Sequence, residues 1–259
     1  GIDTDRDDLK GRSDTMILAV LNTKLKTLKL VSFMRDLYVK IPGKGHNKLN
    51  ASYAFGGASL VKRTLEDNFG IIVDGYLAIN FSLMANLVDA IGGIEIFVEE
   101  YELKPLNGIL GYFNYQRGVP EDQGMLAASG SRVLTGLQTM SYARIRKTDS
   151  DFERIVRQQK VIEAIYLQLR QASLPQLIDA VTAFISKVGT DVSMSDVLSL
   201  LTETMKIDEI SIETLSIPVK GTFSAKMINK TYFLVPNSKR NISAISEFLY
   251  AQPDKQTVD

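Results

Sequence analysis

The sequence predicts an α/β fold: a single domain with a central mixed β-sheet flanked by helices on both faces. Three observations carry this. Apolar runs of strand length alternate with stretches of helical period from end to end. Of the 259 residues, 45% are hydrophobic, enough for a sizeable core at this length. No break in composition and no internal repeat divides the chain, so the expected domain covers residues 1–250, with a polar tail at 251–259.

Residues 16–22 and 27–33 are apolar runs joined by a short Thr-Lys-Leu-Lys turn and read as two buried strands. A third short strand is expected at 37–41. Residues 57–69 have amphipathic helical spacing, and Gly70 follows as a residue suited to the left-handed position that ends a helix. A strand at 76–80, a helix at 82–91 closed by Gly92-Gly93 and a strand at 94–98 come next. From 99 to 130 periodicity is lost and Gly, Tyr and Asn are frequent, so an irregular segment holding a hairpin or lid is expected. A short helix at 134–143 precedes a long one from 151 to about 170. Ser173 ahead of Pro175 starts another helix, and Ser193 with Asp196 has capping-box spacing. Strands at 210–218 and 231–235 and a helix at 242–250 complete the chain.

Thirty basic and thirty acidic residues balance, which argues against a general affinity for nucleic acid. The absence of cysteine excludes disulfides, thiolate metal sites and a cysteine nucleophile. The one histidine, His46, excludes histidine metal clusters, and a Ser-His-Asp triad would have to use it. It lies in Pro-Gly-Lys-Gly-His-Asn, a turn-rich stretch where an exposed loop position is expected. That stretch is no phosphate-binding loop, because the Gly-Lys-Ser/Thr ending and the preceding apolar strand are missing. No apolar run approaches the roughly eighteen residues of a membrane-spanning helix. The first residue is Gly1 rather than methionine, so an upstream segment is expected to have been removed.

The chemistry concentrates between residues 143 and 160. Six cations (Arg144, Arg146, Lys147, Arg154, Arg157, Lys160) stand against three acids (Asp149, Asp151, Glu153), a local net of +3 in a neutral chain. Four of the six are arginines, whose planar forks match phosphate or carboxylate. Asp151 is a good N-cap, and Arg154 and Gln158 are then four apart on one helical face. They fall in the first two turns, where free N–H groups and the helix dipole also favour an anion. Arg144 and Arg146 share a side if the chain there is extended. Two readings stand: a site for a multiply charged anion, or a solvated basic helix start.

A second constellation lies near the start. Gly1-Ile2-Asp3 is followed by Gly11-Arg12-Ser13-Asp14-Thr15 before the first strand, and Met34-Arg35-Asp36 follows the second. If those strands form a hairpin, Arg12, Asp14, Arg35 and Asp36 crowd one sheet edge. Two arginines among carboxylates suit phosphate oxygens bridged by a divalent cation, since magnesium takes one or two carboxylates plus the substrate's phosphates. A surface ion-pair network is the alternative.

Taken in order, these segments resemble the LytR-CpsA-Psr family of bacterial envelope phosphotransferases. The matching pieces are Gly1-Ile-Asp3, Gly11-Arg-Ser-Asp-Thr-Met16, Arg35-Asp36, Ile41-Pro-Gly, Lys48-Leu-Asn50, Tyr53-Ala and Val88-Asp-Ala-Ile-Gly-Gly93. They continue with Leu134-Thr-Gly-Leu-Gln138, Tyr142-Ala-Arg-Ile-Arg-Lys147 and Asp151-Phe-Glu-Arg-Ile-Val-Arg-Gln158. Met34 stands where the family usually has proline, and the loop from 147 to 151 is short.

The resemblance implies an extracytoplasmic domain at the bacterial cell membrane, in Gram-positive fashion, tethered by an N-terminal membrane helix that these residues do not include. It implies transfer of a glycopolymer, such as teichoic acid or capsular polysaccharide, from a polyprenyl-pyrophosphate carrier to peptidoglycan. Carried over by position, Arg12, Arg35, Arg144, Arg146, Arg154 and Gln158 would bind pyrophosphate, and Asp3 and Asp14 would hold Mg2+. Arg35, Asp36, Arg144 and Arg146 would be catalytic. Asp14 and Asp36 are both candidate bases. Residues 99–130 would set the acceptor or polymer preference. Rival readings are hydrolysis at the same site, a lipid-phosphate sensor without turnover, and a transcriptional regulator. The neutral charge and the absence of a recognisable helix-turn-helix count against the last.

Overall fold

The two apolar runs near the start pair as their spacing predicts: β1 (Met16–Asn22) and β2 (Thr27–Phe33) are antiparallel, in register from Met16↔Phe33 to Asn22↔Thr27. The structure, a computed structural model, describes residues 1–2, 9, 11–146, 151–207 and 209–250, with Asp151 by its backbone alone. The expected polar tail lies outside the described residues.

β3 (Tyr38–Ile41) and β4 (Gly45–Lys48) form a second hairpin, so His46 is exposed on a strand rather than in a loop, its ring stacked on Tyr38. α1 (Ala51–Phe69) begins earlier than its spacing suggests. It is broken at Gly56 and Gly57, the latter at φ 65, so the helix expected at 57–69 is the part beyond the break. Gly70 ends it at φ 67, its N–H donating to Glu66 O at 2.9 Å. β5 (Leu77–Ala78) leads to α2 (Phe81–Ala90), whose N-cap Asn80 accepts from Leu83 N at 2.8 Å. β6 (Ile94–Val98) follows.

Residues 99–130 correct the expectation of an irregular segment, because α3 (Glu100–Gln116) occupies its first half. Its buried side recurs at intervals of four through Glu102, Leu106, Leu110 and Asn114. Two of these four are polar, so hydrophobicity alone hides the helical period. Pro105, Gly108 and Gly111 lower the propensity further. The helix forms because its polar inward residues find partners. Glu102 Oε2 accepts from Glu99 N at 3.0 Å at the N-terminus, and Asn114 Nδ2 donates to Glu121 O and Gln123 O. Asn107 binds both the N–H and the carbonyl of Leu126, tying the segment after the helix to its side.

β7 (Gly130–Leu134) pairs antiparallel with β6, so Leu134 closes a strand rather than opening a helix. α4 (Gly136–Ala143) begins two residues later behind a capping box of Thr135 and Gln138. Then come α5 (Asp151–Arg170), α6 (Leu174–Ile185), β8 (Gly189–Thr190) and α7 (Met194–Met205). Ser173 and Ser193 are the N-caps of α6 and α7, as their spacing predicts. β9 (Ser211–Ile217), β10 (Phe223–Ile228), β11 (Thr231–Pro236) and α8 (Ser238–Tyr250) complete the order. β10 was missed by the sequence reading; its Phe-Ser-Ala-Lys-Met run alternates, but its four central residues are all exposed.

The expected mixed α/β architecture is present. β2 pairs antiparallel with β1 and parallel with β9 in a three-stranded mixed sheet, and the other strands form two-stranded ladders. Contacts gather in two compact units. Met16–Asp74 with Glu209–Asp259 contain the mixed sheet, where α8 packs on β9 and on α1. The core there includes Leu30, Val31, Phe33, Leu37, Ile217 and Leu234, all at most 5% exposed. Gly1–Thr15 with Gly75–Asp208 contain α2 to α7. This second core joins Val88, Ile94, Val98 and Leu106 to Leu134, Tyr142, Ile145 and Val161.

Candidate active site

The arginine segment is positioned by α4, and the surrounding motifs explain how. The N–H of Gly136 donates to Asp89 Oδ1 at 2.7 Å, so the Asp89 of Val-Asp-Ala-Ile-Gly-Gly caps the helix of Leu-Thr-Gly-Leu-Gln. A Cβ on Gly136 would lie 2.0 Å from Ala85 O, a closeness of α2 and α4 that only glycine permits. Gln138 completes the start of α4: its Oε1 accepts from Thr135 N at 2.8 Å and its Nε2 donates to Gly124 O at 2.7 Å. The far end of α4 is thereby placed.

Arg144 is that far end, the C-cap residue. Its guanidinium carbon lies 3.7 Å from the ring centroid of Phe81 and 5.1 Å from that of Phe113. Cation–π attraction to the two rings helps hold the guanidinium in place. Ile145 is fully buried, whereas Arg144 is half-buried and Arg146 exposed, so the two arginines flank a residue anchored in the core. Arg154 and Gln158 lie four apart on α5, as their spacing predicts, Arg154 buried and Gln158 half-buried. The capping role expected of the Asp151 side chain and the turn at 147–150 lie outside the described residues.

Arg157, counted in the sequence among the basic cluster, has a different job. Its side chain is 2% exposed. Nε donates to Glu102 Oε1 at 2.6 Å and a terminal nitrogen to Ile145 O at 3.2 Å. Burial pushes the neighbouring Tyr142 phenol above the ordinary tyrosine range, and the charge of Glu102 adds to the shift.

In the same unit, the segment before β1 is held by backbone bonds. Ile2 bridges Ser13 and Asn80, and Asp14 N donates to Gly1 O at 3.0 Å. Arg12 is exposed there and Asp14 half-buried. Asp3 lies outside the described residues. Among the described residues no three acidic or histidine side chains gather into a metal site. Asp14 as a single carboxylate fits magnesium's habit of taking one or two carboxylates alongside substrate phosphates.

The other unit holds Arg35 and Asp36, directly after β2. Lys48 Nζ donates to Asp36 Oδ1, and Arg35 Nε lies 3.5 Å from Asp36 Oδ2. Asp36 is 8% exposed, and its backbone carbonyl accepts from Leu234 N at 2.9 Å. Both carboxylate oxygens therefore face cations, an arrangement that can orient Arg35 and Lys48. Met34, in the place of the family's proline, donates its N–H to Ile217 O at 2.8 Å. A proline has no such donor. Sequence reading passed over Lys48, Phe81, Phe113 and the Glu102–Arg157 pair. Lys48 and Arg157 stood in quoted motifs, Arg157 as one of the basic cluster with no partner assigned, while the rings looked like ordinary core.

The α/β domain thus carries Arg144 at the end of α4 and Arg154 and Gln158 in the first turns of α5. The chain belongs to the LytR_cpsA_psr family, whose sequence profile matches residues 1–247. It is 39% identical over 202 residues to the polyisoprenyl-teichoic acid–peptidoglycan teichoic acid transferase TagU of Enterococcus faecalis, covering 76% of this chain and 61% of that protein. Against the TagU of Halalkalibacterium halodurans it is 33% identical over 239 residues, covering 91% of this chain and 71% of the relative. The crystal structure of Bacillus subtilis TagT and a structure of TagT bound to LIIa-WTA both superpose with a TM-score of 0.73 at 25% identity. They cover 92% of this chain and 84% and 86% of those chains, respectively. The chain thus spans about three fifths of the length of the Enterococcus relative. No helix among the described residues is long and apolar enough to cross a membrane.

Proposed function

We propose that this chain is the catalytic domain of a magnesium-dependent phosphotransferase. It moves a glycopolymer of the teichoic acid or capsular class from a polyprenyl-pyrophosphate carrier to peptidoglycan, at the extracytoplasmic face of the cell membrane. The observation that carries the reading is Arg144, held against the rings of Phe81 and Phe113 and followed by exposed Arg146, in a family whose named relatives are teichoic acid transferases.

A hydroxyl oxygen of the acceptor sugar forms a bond to the phosphorus that carries the glycan. The bridging P–O bond breaks, and the electron pair leaves on the prenyl phosphate. Arg144 and Arg146, with Arg12, Arg154 and Gln158, bind the pyrophosphate oxygens and stabilise the charge that grows on the departing phosphate. Asp14, with Asp3, would hold Mg2+, which when bound supplies neutralising charge to the pyrophosphate. The hydroxyl proton passes to a carboxylate. Asp14 and Asp36 are the candidate bases, and Asp36 is paired with Lys48 and Arg35.

The test is release of prenyl phosphate from a synthetic prenyl-pyrophosphate glycan, with magnesium and muropeptide oligomers. Alanine at Arg35, Arg144 or Arg146 is expected to lower turnover by about 10²–10³-fold, as loss of one oxyanion-hole donor does. Lipid affinity falls less, because the other cations remain. Tight lipid binding with no release by the wild-type domain would replace the enzyme with a lipid-phosphate sensor, and release that needs no acceptor would make it a hydrolase.

A further inference from the structure

The Glu102–Arg157 ion pair is buried, joins two helices, and ends on a backbone carbonyl between the two arginines of the site. Glu102 and Arg157 are each 2% exposed in their side chains, and their 2.6 Å contact links α3 to α5. A pair sealed from water in this way gives little net stability, since desolvation offsets much of the attraction. What it does supply is direction. The Arg157 guanidinium is rigid, so fixing Nε on Glu102 also fixes where its terminal nitrogens point. One of them donates to Ile145 O at 3.2 Å.

Ile145 is the residue between Arg144 and Arg146. Its side chain is fully buried in the core with Leu106, Tyr142 and Val161. Its N–H donates to Tyr142 O at 3.2 Å. With the carbonyl held by Arg157, this one residue is secured at its side chain, its N–H and its carbonyl. α3 supplies two supports to the segment: Glu102 through Arg157, and Phe113 against the Arg144 guanidinium.

We infer that Glu102 and Arg157 are positioning residues that hold the Arg144-Ile145-Arg146 backbone so that both arginines address one anion. Neither touches the anion itself. The inference rests on the proposed pyrophosphate chemistry for its catalytic consequence, though not for its structural part. Arginine is required at position 157 because one side chain must reach a carboxylate and a carbonyl at once. Lysine keeps the charge and the pairing with Glu102 but cannot hold both partners in a fixed plane.

Glu102→Gln leaves a buried guanidinium without its counter-charge and destabilises the fold, so the decisive variant is Arg157→Lys. Two measurements are made on it. Hydrogen–deuterium exchange of the lipid-free protein should show faster exchange confined to residues 142–146, with the melting temperature close to wild type. Turnover of the prenyl-pyrophosphate glycan should fall by roughly tenfold or more while lipid affinity changes less than threefold. The same substitution in an Arg144→Ala background should cost much less than it does in the wild-type background, because a positioning group acts only through the group it positions. Unchanged exchange at 142–146, or a loss of turnover that is fully additive with Arg144→Ala, overturns the inference. If wild-type protein neither binds nor turns over the lipid, the proposed function has failed. The exchange experiment still decides whether Arg157 holds the segment.

Discussion

The guanidinium carbon of Arg144 lies 3.7 Å from the ring centroid of Phe81, the first residue of α2. A cation over a ring face at this distance contributes about 0.5–2 kcal/mol, the larger values where water is excluded. Here the contact matters chiefly for aim, since it helps fix where the Arg144 guanidinium lies. Phe81→Leu is expected to lower kcat/KM for prenyl phosphate release by about tenfold, in line with a loss of roughly 1.4 kcal/mol of transition-state stabilisation. Phe81→Tyr should retain most activity. Steady-state kinetics on the two variants, with circular dichroism to confirm folding, checks this.

Gly136 tests the placement of the site from a distance. A methyl group there would lie 2.0 Å from Ala85 O and 2.5 Å from its carbonyl carbon. Backbone cannot yield as a flexible side chain does, so α2 and α4 must separate. Gly136→Ala is expected to destabilise by about 3 kcal/mol, the upper part of the usual range for overpacking. A urea titration measures it, and an unchanged midpoint would contradict the close approach.

Asp36 separates an orienting role from a base. If it orients Lys48 and Arg35, then Lys48→Met should reproduce a large share of the turnover lost in Asp36→Asn, because each breaks the same pairing. If Asp36 takes the proton, Asp36→Asn should cost about 10²–10⁴-fold, with Lys48→Met nearly silent. Parallel kinetics on the two single variants and the double variant decide between these outcomes.

Tyr142 gives a pH prediction with a definite sign. An unfolded tyrosine ionises near pH 10, whereas burial and the charge of Glu102 hold the folded phenol protonated to higher pH. Above about pH 10 the unfolded state therefore binds fewer protons than the native one, and stability falls as pH rises. Below that value the contribution is complete. Tyr142→Phe should flatten the alkaline limb of the stability profile without altering its shape near neutrality. Urea midpoints from pH 7 to beyond 10 are the measurement.

Much of this protein was written locally in the chain. The β1–β2 hairpin, Gly70 as the end of α1, the Ser173 and Ser193 caps and the spacing of Arg154 and Gln158 all follow from neighbours a few residues apart. So does the family, because its motifs are short and occur in order. Tertiary structure alone decided what α3 is, and which arginine does which task. The inward face of α3 is half polar. Glu102 is acceptable there because Arg157 meets it, and Asn114 because two carbonyls beyond the helix accept its protons. Arg154 and Arg157 are three residues apart and indistinguishable by composition. Three residues turn a helix by about 300°, so the two side chains leave it only about 60° apart, yet it is Arg157 that meets Glu102, a carboxylate fifty-five positions away in the chain. No local pattern encodes a partner at that distance, since a buried charge is tolerated only when folding has delivered its counter-charge.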